Sequence, residues 1–190
     1  YEFYYSAGDL ARIRSRLDRC GLKPEKLIAI NPGANWVPKR WPIDYYKSLA
    51  QKLMDHYGVQ VVITGSDEDQ PLAEVMLQDQ NGGQALFSFC GQTTLCELGA
   101  LFSLCRLVIS NDTGPLHIAG GVGTNVIGIF GPTDPKATGP VGKGRNIVIR
   151  YLPDGAQVPW FGKSFPHGEW LERLSVQEVF ETIQRERLLE

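Results

Sequence analysis

The chain has 190 residues and a mass of 21.1 kDa, which suits one domain with a full apolar core and leaves too little for two domains of ordinary size. With 43% hydrophobic and 21% charged residues it has a globular composition, and no run reaches the ~18 consecutive apolar residues that a membrane span needs. The formal net charge is −2 with acidic and basic residues interleaved, so no chain-wide positive field exists to bind nucleic acid or an anionic membrane surface, and any anion must be held locally.

In chain order, the first residues (YEFYYSAGDL) carry neither a basic start nor an apolar block. They are not a signal peptide, which points to the cytoplasm. A first residue that is Tyr rather than Met reads as a piece cut from a longer protein. Residues 1–24 are expected to form a leading segment or linker helix. Six short apolar runs follow, at Leu27 to Ile30, Val59 to Thr64, Leu86 to Cys90, Leu107 to Ser110, Val126 to Phe130 and Ile147 to Ile149, and each reads as a strand. Between them lie helical patterns. Ile43 to Tyr57 has apolar residues at Leu49, Ala50, Leu53 and Tyr57, and a second pattern runs from Leu95 to Leu104. Strands alternating with helices, and apolar nearly throughout, imply an α/β fold: a Rossmann-like doubly wound parallel sheet over residues 25–150, buried on both faces. Leu152 to Trp170 is rich in Pro, Gly and aromatics without a period and reads as an irregular surface excursion. Ser175 to Leu189 then closes the chain as an amphipathic helix, so that 151–190 packs on the same domain. Cys20, Cys90, Cys96 and Cys105 form no C-x-x-C pair and have no His cluster beside them, which predicts free thiols rather than a zinc site.

Ligands of such sheets collect outside the carboxyl ends of the strands, which directs attention to the loops there. After Ile30 comes Asn31-Pro32-Gly33-Ala34-Asn35-Trp36-Val37-Pro38-Lys39-Arg40-Trp41-Pro42. Its turn residues hold two cations near the rim, suited to a diphosphate or else simply solvated beside a helix start. After Ser110 comes Asn111-Asp112-Thr113-Gly114-Pro115-Leu116-His117. Here Asp112 or Thr113 can cap a helix, Pro115 suits its first turn, and Gly114 lets a ligand approach amides that lack partners. His117, one turn on, can face the same ligand, although a lone His is more often structural. An Asp-Thr-Gly triplet also occurs in aspartic proteases, but those need a β-rich fold and a second aspartate loop, and neither is visible. The acidic turn Gly65-Ser66-Asp67-Glu68-Asp69 could accept from ribose hydroxyls or serve a helix N-terminus. Gly91-Gln92-Thr93-Thr94 should cap the Leu95 helix and leave backbone groups for a flat base edge. Gly131-Pro132-Thr133-Asp134-Pro135 reads as a rigid double turn contributing shape rather than charge.

Four of these segments, Asn-Pro-Gly-Ala at 31–34, Lys-Arg-Trp-Pro at 39–42, Asn-Asp-Thr-Gly-Pro-Leu-His at 111–117 and Gly-Pro-Thr-Asp-Pro at 131–135, resemble in order and spacing the ADP-heptose:lipopolysaccharide heptosyltransferases of glycosyltransferase family 9. The resemblance covers residues 25–150 strongly and the tail loosely. Many relatives carry several cysteines around the region of Pro159 to Gly168, whereas this chain has none beyond Cys105.

The resemblance implies a GT-B architecture, two Rossmann-like domains across a cleft, of which this chain would be the second, donor-binding one. The donor would be ADP-heptose, with Lys39 on its diphosphate and Asn35 and Arg40 nearby. Asp112, Thr113, Gly114 and His117 would line the diphosphate and sugar, Thr93 would meet adenine through its backbone, and Asp67 would meet the ribose. His117 would also stabilise the leaving group. It further implies inversion at the anomeric carbon with no obligatory metal or cofactor, a catalytic carboxylate base on the first domain, and a lipid A or inner-core acceptor at the cytoplasmic face of the inner membrane. The chain alone would then bind donor without turning it over. Two alternatives stay open at this level: a related GT-B domain using a UDP- or GDP-linked sugar, and a non-catalytic nucleotide-binding module that shares only the fold.

Overall fold

The computed structural model describes residues 2–78, 85–153 and 170–190. All six apolar runs form strands: β1 (Leu27–Asn31), β2 (Gln60–Ile63), β3 (Leu86–Ser88), β4 (Leu107–Asn111), β5 (Asn125–Phe130) and β6 (Asn146–Arg150). They make one parallel sheet in the order β3-β2-β1-β4-β5-β6. The strand expected to reach Cys90 stops at Ser88. Phe89 still donates its amide to Ile63 (2.8 Å), but Gly91 takes φ +67° and turns the chain along the rim.

The helices are α1 (Ala7–Arg19), α2 (Ile43–Tyr57), α3 (Gln70–Leu77), α4 (Leu95–Ser103), α5 (Gly114–Gly121), α6 (Pro135–Thr138) and α7 (Val176–Arg185). Strand side chains alternate between the two faces of the sheet. Ile28, Ile30, Val61, Ile63, Ile109 and Ile127 pack with Leu49 and Leu53 of α2, Met76 of α3, and Val179 and Ile183 of α7. Leu27, Ala29, Val62, Val108 and Val126 face the other way, onto Ile13 and Leu17 of α1, Leu98 and Leu101 of α4, and Leu116 and Ala119 of α5. Each fully buried Leu, Ile or Phe removes enough apolar surface from water to contribute about 1.5–3 kcal/mol, and these two layers therefore hold the fold together.

Local chemistry sets the helix ends. Capping boxes start α1 (Ser6 with Asp9), α4 (Thr94 with Glu97) and α7 (Ser175 with Glu178). Gly58, at φ +62°, ends α2 in the left-handed conformation that glycine adopts without strain. α1 lies in the same apolar cluster as α4, which makes its residues part of the layered core. No helix of the described residues is long and apolar enough to cross a membrane. The irregular excursion expected at 152–170 falls, for residues 154–169, outside the described residues, as does the cysteine-poor stretch 159–168.

Because all strands are parallel, their carboxyl ends open on one rim. The order of the sheet reverses there between β1 and β4, which creates a crevice between the loops that follow these two strands.

Candidate functional site

From Asn31 the chain runs through a turn at Pro32–Ala34 into a single helical turn, Val37–Lys39, which carries Lys39 across the crevice. The Lys39 ammonium donates to Asp112 Oδ2 at 2.6 Å and to the Asp112 carbonyl at 3.4 Å. The pair is well shielded, with side-chain exposures of 14% for Lys39 and 4% for Asp112. The same carboxylate oxygen accepts from Thr133 Oγ1 (2.6 Å) and Thr138 Oγ1 (3.5 Å), both from the segment after β5. Three donors from two sides of the crevice thus converge on one buried oxygen, as a buried charge requires.

This arrangement corrects the expectation that Asp112 or Thr113 caps α5. Thr113 occupies the N-cap position but its side chain makes no capping hydrogen bond, and the Asp112 carboxylate is turned toward Lys39. The first turn of α5 therefore has no side-chain cap. Gly114, its first residue, is exposed, and a Cβ built there would meet no atom within 4 Å. Nothing inside the protein requires glycine at 114, and the space beside the helix start is open. His117 is partly exposed one turn further along.

Asn111 holds the crevice in shape. Fully buried at the end of β4, it accepts at Oδ1 from the Trp41 amide (3.0 Å) and the Tyr46 hydroxyl (2.9 Å), and donates from Nδ2 to the carbonyls of Pro32 (2.7 Å) and Gly33 (3.4 Å). Both ends of the Lys39 loop are therefore fastened to the strand that carries Asp112. Trp41 is buried edge-on against Tyr46, with its indole nitrogen donating to the Leu174 carbonyl (2.9 Å). Burial pushes the Tyr46 hydroxyl well above the usual phenol range, which keeps it a neutral donor. Arg40 does not join Lys39 at Asp112. Its guanidinium donates to the Ala34 carbonyl at 2.7 Å and braces the loop from within. Asn35 is exposed beside it.

Further along the rim the loops after β2 and β3 meet. Ser66 and Asp69 form a capping box, so of the acidic residues it is Asp69 that serves the helix start. Its side chain fills the space beside Gly33 and Gly65, where an added Cβ would clash with it. Asp67 instead accepts from Gln70 Nε2 (3.1 Å) and lies against Gly91, whose amide donates to the Gly65 carbonyl (3.0 Å). Asp67 and the Gly91–Thr94 loop are thus neighbours, and Thr93 is partly exposed on that loop.

The structure therefore joins Lys39 directly to Asp112 at the mouth of α5, places Gly114 and His117 on that helix, and sets Asp67 beside the loop of Thr93. The sequence had given no role to Asn111, Thr133, Thr138 or Trp41. The signal for Asn111 was a polar residue ending a strand otherwise apolar. The double turn at 131–135, read as shape alone, also supplies the Thr133 hydroxyl, and Asp134 caps α6 through the Lys136 amide (3.0 Å).

With this geometry in hand, comparison with known proteins is direct. Residues 2–158 match glycosyltransferase family 9 (heptosyltransferase). Lipooligosaccharide heptosyltransferase 2 of Haemophilus influenzae is 36% identical over 127 residues, 64% of this chain and 36% of that protein. Its counterpart in Haemophilus ducreyi is 34% identical over 134 residues, 68% of this chain and 38% of that protein. The solved structure of Escherichia coli ADP-heptose lps heptosyltransferase II superposes with a TM-score of 0.78 at 28% identity, covering 99% of this chain and 53% of that one. The chain thus spans about a third to a half of the length of these relatives. On the family match and these likenesses, the chain belongs to glycosyltransferase family 9, the heptosyltransferase family.

Proposed function

We propose that this chain is the donor-binding half of an inverting GT-B heptosyltransferase of lipopolysaccharide core assembly, and that it takes ADP-heptose at the crevice between β1 and β4. The observation that carries this reading is the Lys39 ammonium held by Asp112 at the uncapped start of α5. A cation bonded to Asp112, two residues before Gly114, and a helix start without a side-chain cap thus lie close together, the arrangement that suits a pyrophosphate. The name of the Escherichia coli relative, an ADP-heptose enzyme, supports the choice of donor.

In this reading the diphosphate lies across Gly114 with Lys39 on its other side, the ribose meets Asp67, and the base meets the backbone of Gly91–Thr94. Arg40 keeps the Lys39 loop in place through the Ala34 carbonyl, and the exposed Asn35 lies near the diphosphate. The acceptor, a lipid A or inner-core sugar, is held by a further domain that also carries the carboxylate base. That base removes the proton of the acceptor hydroxyl, whose oxygen attacks the anomeric carbon from the face opposite ADP. The bond from that carbon to the β-phosphate oxygen breaks, and the configuration inverts. Negative charge then grows on the departing diphosphate, where Lys39, the α5 amides and a hydrogen bond from His117 stabilise it more strongly than in the ground state. These groups supply the positive charge without an obligatory metal or cofactor. The reaction takes place at the cytoplasmic face of the inner membrane, and this half alone binds donor without turnover.

Calorimetric titration with ADP-heptose, ADP, UDP and GDP, each with and without EDTA, tests the proposal. The expected result is preferential binding of the two adenine ligands, unchanged by EDTA. A preference for UDP or GDP overturns the donor assignment, and binding of none of the four overturns the site.

A further inference from the structure

Helix α1 packs on α4, yet one of its arginines reaches the loop that the proposed function assigns to the base, and a second reaches the residue that caps that loop's end. Arg16 Nη1 donates to the Gln92 carbonyl at 2.8 Å, and its guanidinium carbon sits 4.0 Å from the centre of the Phe89 ring. Phe89 is itself buried, with 2% exposure, and its carbonyl accepts from the Gln92 amide (3.1 Å). One turn earlier on the same helix face, Arg12 Nε donates to Glu97 Oε1 at 2.7 Å. Glu97 in turn accepts from the Thr94 amide (3.0 Å) as the second half of the α4 capping box. The segment from Gly91 to Thr94 is thus gripped at one end by Arg16 and at the other, through Glu97, by Arg12. Between the two grips stands Thr93. On the sheet side, the Gly91 amide is fixed to Gly65 and Asp67 fills the space where a side chain at 91 would go.

We infer that Arg16 is a positioning residue for nucleotide recognition. Seated over the Phe89 ring and donating to the Gln92 carbonyl, it sets the backbone of residues 91–94 at the height where its amides and carbonyls can read the edge of a base, and thereby contributes to discrimination among nucleoside diphosphates. Arg16 touches no ligand. A flat base is selected by backbone groups only if those groups are held still, because an unconstrained loop can shift to accommodate a different pattern of donors and acceptors. The guanidinium suits this task better than an ammonium would, since it can sit over the aromatic ring and donate to the carbonyl at the same time. Arg12 reinforces the far end of the loop, but its side chain is 61% exposed and its pairing is correspondingly weak. This inference rests on the donor reading given under the proposed function.

The test compares wild type with Arg16→Met and Arg16→Lys, measuring dissociation constants for ADP, UDP and inorganic pyrophosphate by calorimetry, with thermal melting alongside. Met keeps the length and apolar cover of the stem and removes the donors. Since α1 packs through Ile13 and Leu17, the fold should persist. The expected result for Arg16→Met is a loss of roughly five- to tenfold in ADP affinity, the size of one directed hydrogen bond. The ADP-to-UDP ratio should narrow, pyrophosphate affinity should stay within about twofold because its groups lie elsewhere on the rim, and Arg16→Lys should recover part of the loss. Unchanged ADP affinity and selectivity in Arg16→Met overturns the inference and leaves the donor reading intact. Equal losses for ADP and pyrophosphate also overturn it, by revealing a general structural defect. A wild-type protein that binds pyrophosphate but shows no preference among nucleotides, or that binds no ligand, overturns the donor reading and this inference together.

Discussion

Lys39 and Asp112 are 73 positions apart in the chain, and their side chains meet at 2.6 Å across the crevice where the sheet reverses. Removing either partner leaves the other charge shielded from water without its counter-ion. For Lys39→Ala the expected loss of stability is about 2–4 kcal/mol, toward the lower end for a broken buried pair because Thr133 and Thr138 still donate to Asp112. The double variant Lys39→Ala/Asp112→Asn should regain a substantial part of that loss. Urea denaturation of the four proteins in the cycle measures the coupling, and additivity of the two single effects would show that the pair does not contribute to the fold.

The same substitutions separate the fold from the ligand. Lys39→Ala should weaken ADP binding by about 1–3 kcal/mol, the worth of a charge-assisted hydrogen bond to phosphate. Asp112→Asn keeps the shape of the site and should weaken it less. Titration calorimetry decides between them, and a larger ADP loss in Asp112→Asn than in Lys39→Ala would place the diphosphate on the wrong partner.

Gly114 offers a cleaner separation. A Cβ there meets nothing within 4 Å, so Gly114→Ala should leave stability unchanged or raise it by up to about 1 kcal/mol through the lost freedom of the unfolded chain. Donor affinity should nevertheless fall by roughly tenfold or more, because the methyl group occupies the approach to the helix amides. Melting temperature and ADP affinity measured on the same preparation make the check. A variant that binds ADP normally would show that the start of α5 is not where the phosphates lie.

Asn111 makes four hydrogen bonds from a fully buried side chain. Asn111→Leu strands the Trp41 amide, the Tyr46 hydroxyl and two carbonyls at once, for which we expect a loss of about 2–4 kcal/mol. Chemical denaturation reads it directly, and an effect under about 0.5 kcal/mol, the size typical of an inconsequential surface change, would contradict the role assigned to this residue.

Acid should loosen the helices from their starts. Hydrogen bonds from Ser175 hold Glu178 below the usual carboxylate range, and the Thr94 amide followed by Arg12 does the same for Glu97. A carboxyl depressed in the folded state is protonated first in the unfolded chain. Its contribution is therefore complete above the ordinary carboxylate value and disappears as pH falls through the lower, folded value. Melting temperature should decline below about pH 4.5, the ordinary Glu range, and Glu178→Gln should flatten that decline. An identical acid limb in the variant would remove Glu178 from the account.

The sheet was legible in the sequence because each strand is a short apolar run, buried almost throughout in β1, β2, β4 and β5 and only partly in the edge strands β3 and β6, and strand ends differ from the apolar runs by one or two residues. The Leu86 run overshot because Phe89 and Cys90 are buried in the turn that follows β3 rather than in the strand itself. Helix α3 went unread, since its eight residues begin with Gln-Pro and merge with the acidic turn before them. The rim loops that carry Lys39, Asp67, Thr93 and Gly114 were visible as turn residues after strands. The pairings among them were not. A carboxylate one residue before a helix N-cap has a strong local reason to cap it, and only the fold reveals that a lysine and two threonines from other loops reach it first. Asn111 and Arg16 act through partners more than sixty positions away, a distance at which local pattern carries no information.

The central claim is that the amides at the start of α5 and the Lys39 ammonium bind one pyrophosphate. A crystal structure of the protein with ADP tests it most directly. The account predicts phosphate oxygens within hydrogen-bond distance of both the Gly114 amide and Lys39 Nζ, with the base at residues 91–94. ADP bound elsewhere, with Lys39 still engaged only by Asp112 and the mouth of α5 empty, would contradict it.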